Sequence, residues 1–194
     1  MTEVSGRNFG LLIAYILPGF VSLLGLAEFS PTIELWIATG SATATASPTV
    51  GGFLYLTLAS VAAGLTVSTI RWAVIDRVHH ATGIAKPPWN HSALQEKLAA
   101  FEALVQNHYR YYQFYANMLV ALGFLLAARL AVSGRCISDF NYLDSALVLT
   151  GLIYWAGSRD ALRNYYTRAA FLLGTLEGDK SDDKRTRSKC DGDG

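Results

Sequence analysis

The chain has 194 residues, 52% of them hydrophobic and 16% charged. A soluble domain carries about a quarter charged residues; the shortfall here is concentrated in long uncharged stretches, which argues against an ordinary soluble domain and for lipid as the solvent of part of the chain. With 16 basic and 15 acidic residues the net charge is +1, so there is no bulk positive field with which to bind nucleic acid.

A helix crosses the hydrocarbon core with about 20 mostly apolar residues. Three charge-free runs meet that length: Asn8 to Ala27, Val50 to Ile70 and Tyr111 to Ala128. A fourth has a charge-free core from Ser145 to Ser158. It spans if Tyr142 and Leu143 extend it and the flanking Asp144 and Arg159 reach for the headgroups. Otherwise there are three spans and a buried fourth helix. Ala44-Thr45-Ala46 fits a small-x-small cleavage pattern, yet it lies well beyond the first run and only Arg7 is basic ahead of that run. The first run is therefore expected to stay as a span.

Pro18-Gly19 interrupts the first run near its middle. Proline removes a backbone donor and glycine loosens the chain, so this pair is expected to form a kink healed by neighbours or a hinge. In the second run Ala59 and Ala63, and Ser60 and Gly64, are spaced for close helix approach, against a helix of the same chain or of another subunit.

The second helix is expected to continue through Arg71 to Val78 and stop near Thr82-Gly83, with Pro87-Pro88 beyond. A new helix should begin at Ser92, with Gln95 completing a capping box. Leu94, Leu98, Phe101, Val105, His108, Tyr112, Tyr115 and Leu119 alternate spacings of four and three, a heptad seam running into the third span. Ser92 to Val132 would make a helix roughly 60 Å long, part of it outside the bilayer and packed on the extension of helix two. His108, Tyr112 and Tyr115 in that stripe mark either the headgroup zone or a polar contact at a subunit boundary or gate. Beyond the fourth run, Leu162, Tyr165, Ala169, Leu172 and Leu176 share one face.

The expected fold is all-α: a polytopic membrane protein with four transmembrane helices, of which helices 2, 3 and 4 extend into a cytoplasmic helical stalk over about 71–112 and 159–176. Residues 1–178 form that single domain, and 179–194 a disordered charged tail.

Of the 16 Lys and Arg residues, all but Arg129 and Arg135 fall on one side of these spans. That side should be cytoplasmic, with both termini in it. Trp72, Tyr109, Tyr111, Tyr112, Tyr115, Tyr154 and Trp155 gather near the same boundary as an expected interface belt. The compact form and basic inner side fit a bacterial inner membrane. Cys136 and Cys190 fall on opposite sides, so no disulfide between them is expected.

All four histidines lie in the segment from His79 to His108. His79, His80 and His91 are the set that could converge on a metal, completed by Asp76 or Glu96, but no His-x-x-x-His or His-Glu-x-x-His is present. No metal or cofactor is expected. The span interiors hold no ionisable residue; Thr57, Ser60, Thr66, Ser68, Thr69, Asn117 and Thr150 are their main polar groups. No Gly-x-Ser-x-Gly elbow or phosphate-binding loop occurs, and no catalytic residue is expected.

Three functions fit these features. The first is a small homo-oligomeric membrane protein, a pore-former or signal-responsive effector. The second is a membrane anchor or sensor recruiting a cytoplasmic protein. The third is a lipid-active or metal-dependent enzyme using the histidine-rich hairpin.

Overall fold

The computed structural model describes residues 2–38, 50–86, 95, 97–134 and 140–173. Expectations placed on Ala44 to Ala46, Pro87-Pro88, His91, Ser92, Leu94, Glu96, the two cysteines and the 179–194 tail lie outside them. The described residues form six α-helices and no strand: α1 (Thr2–Ala27), α2 (Pro31–Ala38), α3 (Val50–Ala81), α4 (Leu98–Leu104), α5 (Arg110–Ser133) and α6 (Tyr142–Leu173). A π turn, Val105–Tyr109, joins α4 to α5 without a break.

Two of these helices are long and apolar enough to cross a membrane, Gly51–Ala81 and Arg110–Ser133. α1 offers the shorter apolar stretch Ile13–Ala27. By the same measure α6 falls short of the expected fourth span, because its apolar run is diluted by Asp144, Ser145, Ser158 and Arg159.

The long helices pack as a bundle in which α1 touches α3 and α5, α3 touches α5, and α6 lies against α5. α1 and α3 run antiparallel and almost in backbone contact. A Cβ on Gly19 would sit 1.7 Å from the Ser60 carbonyl oxygen, and one on Gly64 would sit 2.0 Å from that of Tyr15. The expected packing face thus meets a helix of the same chain. Ser60 and Gly64 are its buried members, whereas Ala59 and Ala63 are only half-buried.

Pro18 lies inside α1, so the Ala14 carbonyl lacks its helical donor. The Asn117 side chain on α5, fully buried, supplies a replacement through Nδ2 at 3.0 Å. Ser22 in turn bonds back to the Pro18 carbonyl at 3.0 Å. Gly19 serves close approach to α3, and the proline is healed by a neighbouring helix.

At the α2 end of the bundle, Arg129 on α5 reaches Glu28 at 3.2 Å and Asp144 at 3.3 Å. Asn141 and Asp144 form a reciprocal capping box on α6: the Asp144 N–H donates to Asn141 Oδ1 at 2.9 Å, and the Asn141 N–H to Asp144 Oδ2 at 3.2 Å. Asp144 is fully buried. It was expected to reach for headgroups as a flanking charge, and instead ties α5 to the start of α6.

α3 stops where the sequence indicates. Gly83 has φ +93°, its N–H donates to the His80 carbonyl at 3.3 Å, and the Ile84 N–H donates to that of His79 at 3.1 Å. This is a Schellman motif, which closes with an apolar contact from the residue after the glycine; Ile84 is accordingly buried in the core. That core comprises Ile75, Ile84, Tyr112, Ala116, Leu162 and Tyr165. It joins the ends of α3 and α6 to the start of α5, so the helices that outrun their apolar segments do pack together.

Candidate functional site

The densest polar cluster lies at that junction, one turn or two beyond the apolar part of α3. Asp76 and His79, three residues apart, are neighbours on one face of α3, and Arg71 reaches Asp76 from five residues earlier on the same helix. Tyr112 comes from the first turn of α5, and Ser158 and Arg159 from the middle of α6. Asp76 Oδ1 accepts from Arg71 Nη1 at 3.3 Å and from the Tyr112 hydroxyl. The Arg71 guanidinium also sits over the Tyr112 ring, 5.3 Å from its centroid, a cation–π arrangement.

His79 is fully buried, 0% exposed. Its Nε2 lies 3.1 Å from Ser158 Oγ, and Ser158 donates its own proton to the Trp155 carbonyl at 2.9 Å. Nε2 is therefore the donor and Nδ1 the bare lone pair. The imidazole stacks on Trp155 at 4.7 Å. Arg159 crosses to the end of α3 and holds it, donating to Thr82 Oγ1 at 2.7 Å and to the Thr82 carbonyl at 2.8 Å. A cation there also complements the negative end of the helix dipole.

Two buried polar atoms of this cluster, Arg71 Nε and His79 Nδ1, have no hydrogen-bond partner among the described residues. Most buried polar groups are satisfied, and exceptions ask for a reason. The cluster thus holds two hydrogen-bonded sets, Arg71–Asp76–Tyr112 and His79–Ser158, which share α3 and tie it to α5 and α6 with spare hydrogen-bonding capacity.

Around it the tyrosines pack on each other: Tyr109 on Tyr165 at 5.1 Å and Tyr165 on Tyr166 at 5.7 Å. Burial, with Tyr109 and Tyr166 beside it, pushes the Tyr165 phenol up from 10.0 to about 12. Burial raises Tyr166 as well, which lies within 3.4 Å of His80 Nε2.

Among the described residues the histidines do not converge. His79 is buried against Ser158, His80 is exposed, and among the described residues no three His, Cys, Asp or Glu side chains come together as a metal site.

The interface belt divides. Trp72 and Tyr111 are exposed at 64% and 57%. Tyr109, Tyr112 and Trp155 instead pack on other rings: Tyr109 on Tyr112 and Tyr165, and Trp155 on His79.

The heptad seam is also reset. The π turn inserts one residue into the period, and Tyr109 joins Val105 against the core that holds Tyr112, while His108 is half-buried. Leu98 is 53% exposed, Phe101 and Tyr115 are half-buried, and α4 has no buried residue. Ser158, Arg159 and Thr82 were not singled out as site residues. Only the reach of α6 across to the end of α3 makes them partners, and no local pattern carries that.

No family model, curated protein or solved structure matches the chain.

Proposed function

We propose that this chain is a four-span membrane protein of the effector type, in which the helical stalk governs the bundle and several copies assemble around a pathway. Two helices meet the length and hydropathy for a span. For α6, support comes from its outward side, where Leu149, Leu152 and Ile153 are all more than 60% exposed; such a face suits lipid better than water. α1 has its apolar stretch on the same level. Both termini then lie with the basic residues in the cytoplasm, in a membrane of the bacterial inner type.

The observation that carries the effector reading is the junction network. Buried polar networks with spare capacity contribute little net stability and suit an element that exchanges between two arrangements. Here the network couples α3, α5 and α6 between stalk and bundle, where a signal received below would pass upward. A hydrolytic role fits poorly, since Ser158 is fully buried and its proton is committed to Trp155.

Liposomes containing the protein test this. Asp76→Asn and Arg71→Ala should release trapped ions without the natural trigger, while the parent chain stays tight and runs as one defined homo-oligomer in mild detergent. A strictly monomeric protein whose variants never release contents contradicts the proposal.

A second reading, recruitment of a cytoplasmic partner, is favoured by α4, whose Leu98 is exposed on a helix with no buried residue. Leu98→Asp would then abolish partner co-purification while leaving insertion intact.

A further inference from the structure

At the α2 end of the bundle, the segment after α1 folds back as α2 and encloses an apolar groove of about 420 Å³ against α1 and α3. That volume lies within the range of ligand sites, about 300–1,000 Å³. Leu23, Ile33, Ile37 and Leu56 form its walls. Gly51 keeps part of it open, since a Cβ there would meet nothing within 4 Å. Trp36 and Tyr55 also line it and meet edge to face at 5.4 Å, the kind of pair found where acyl chains give way to headgroups. No charged side chain lines the groove among the described residues. Outside the groove on the same helix, Phe53, Leu54 and Leu58 are exposed.

We propose that this groove holds an acyl chain of a membrane lipid in the leaflet opposite the stalk. The proposal rests on reading α3 as a membrane span. The lining has apolar walls and no group to orient a polar ligand, which fits a hydrocarbon chain and little else. The neighbouring segment from Thr39 to Thr49 is the rival occupant within the chain. It consists only of Thr, Gly, Ser, Ala and Pro, with no side chain large enough to fill such walls. α2 is then a clasp over a bound lipid, and Trp36 its anchor at the headgroup level.

The test uses the full chain in vesicles containing a phospholipid with a photoactivatable group near the end of one acyl chain. Adducts are mapped by peptide mass spectrometry. Groove residues Ile33, Ile37 and Leu56 should be labelled together with the outward Phe53, Leu54 and Leu58. Gly51→Leu, which adds bulk where space is open, should remove the groove adducts and leave the outward ones. Labelling of Phe53, Leu54 and Leu58 alone in the parent chain overturns the lipid site and leaves the span standing, as when the Thr39–Thr49 segment or a second copy fills the groove. Groove adducts that persist in Gly51→Leu also overturn it. No adduct anywhere on α3 overturns the span and the site with it.

Discussion

Asn117 on α5 donates from Nδ2 to the Ala14 carbonyl of α1 at 3.0 Å, filling the acceptor that Pro18 leaves without a helical donor. Removing the amide should therefore matter only while the proline is present. Asn117→Ala is expected to cost about 1–2 kcal/mol, the range of a buried hydrogen bond in a bundle of this kind. In a Pro18→Ala background the backbone N–H returns and the cost should shrink towards zero. Unfolding of the four chains in detergent gives this double-mutant cycle; equal costs in both backgrounds would contradict the assignment.

The α1–α3 crossing leads to a second prediction. Gly19→Ala places a methyl within 1.7 Å of the Ser60 carbonyl oxygen, which only separation of the two backbones relieves. A loss of about 1–3 kcal/mol or more is expected from such overpacking. Gly51→Ala meets nothing within 4 Å and should be neutral or slightly stabilising by helix propensity. Thermal unfolding of the pair in the same micelle makes the comparison; similar losses for both would remove the close-packing account.

How much of this was legible in the sequence differs from element to element. The end of α3 was, because a Schellman stop depends on a glycine at one position, and Gly83 is there. The packing role of Ser60 and Gly64 was legible from spacing, though its partner was not. α2 was not anticipated: Pro31–Ala38 is a short helix in a stretch with no long period. The π turn escaped because an inserted residue leaves no mark in a heptad count, so the packing of Tyr109 on the core was not foreseen. Asn117 was noted only as a polar group inside a span; its bond to α1 joins residues far apart in the chain, which no local pattern encodes. For the same reason the Asp76–Tyr112 and His79–Ser158 contacts emerge only from the fold.

The ion triad should respond asymmetrically. Asp144 is fully buried while Glu28 is partly exposed. Arg129→Ala takes a charged partner from the fully buried Asp144 carboxylate and is expected to cost about 2 kcal/mol or more. Glu28→Ala removes a screened partner and should cost under about 1 kcal/mol. Denaturant titration of the two variants tests this, and a larger loss for Glu28→Ala would refute it.

Alkaline stability should depend on Tyr165. Its phenol is pushed up from 10.0 to about 12 in the folded chain, so the folded state favours the protonated form. That contribution is fully present below the unfolded value of 10.0 and is lost as pH rises towards about 12. Tyr165→Phe should remove this part of the alkaline decline. Following helix content against pH for both chains decides it; superimposable alkaline limbs would count against a buried phenol.

The proposed function requires that α1 and α6 as well as α3 and α5 cross the bilayer, putting the proposed stalk on the basic side. Labelling of the native cysteines tests it most directly, since Cys136 precedes α6 and Cys190 follows it. A membrane-impermeant maleimide applied to spheroplasts should label Cys136 and leave Cys190 untouched until the membrane is inverted, with Glu3→Cys in a cysteine-free chain behaving like Cys190. Labelling of Cys136 and Cys190 from the same face would show that α6 does not cross, and would contradict the account.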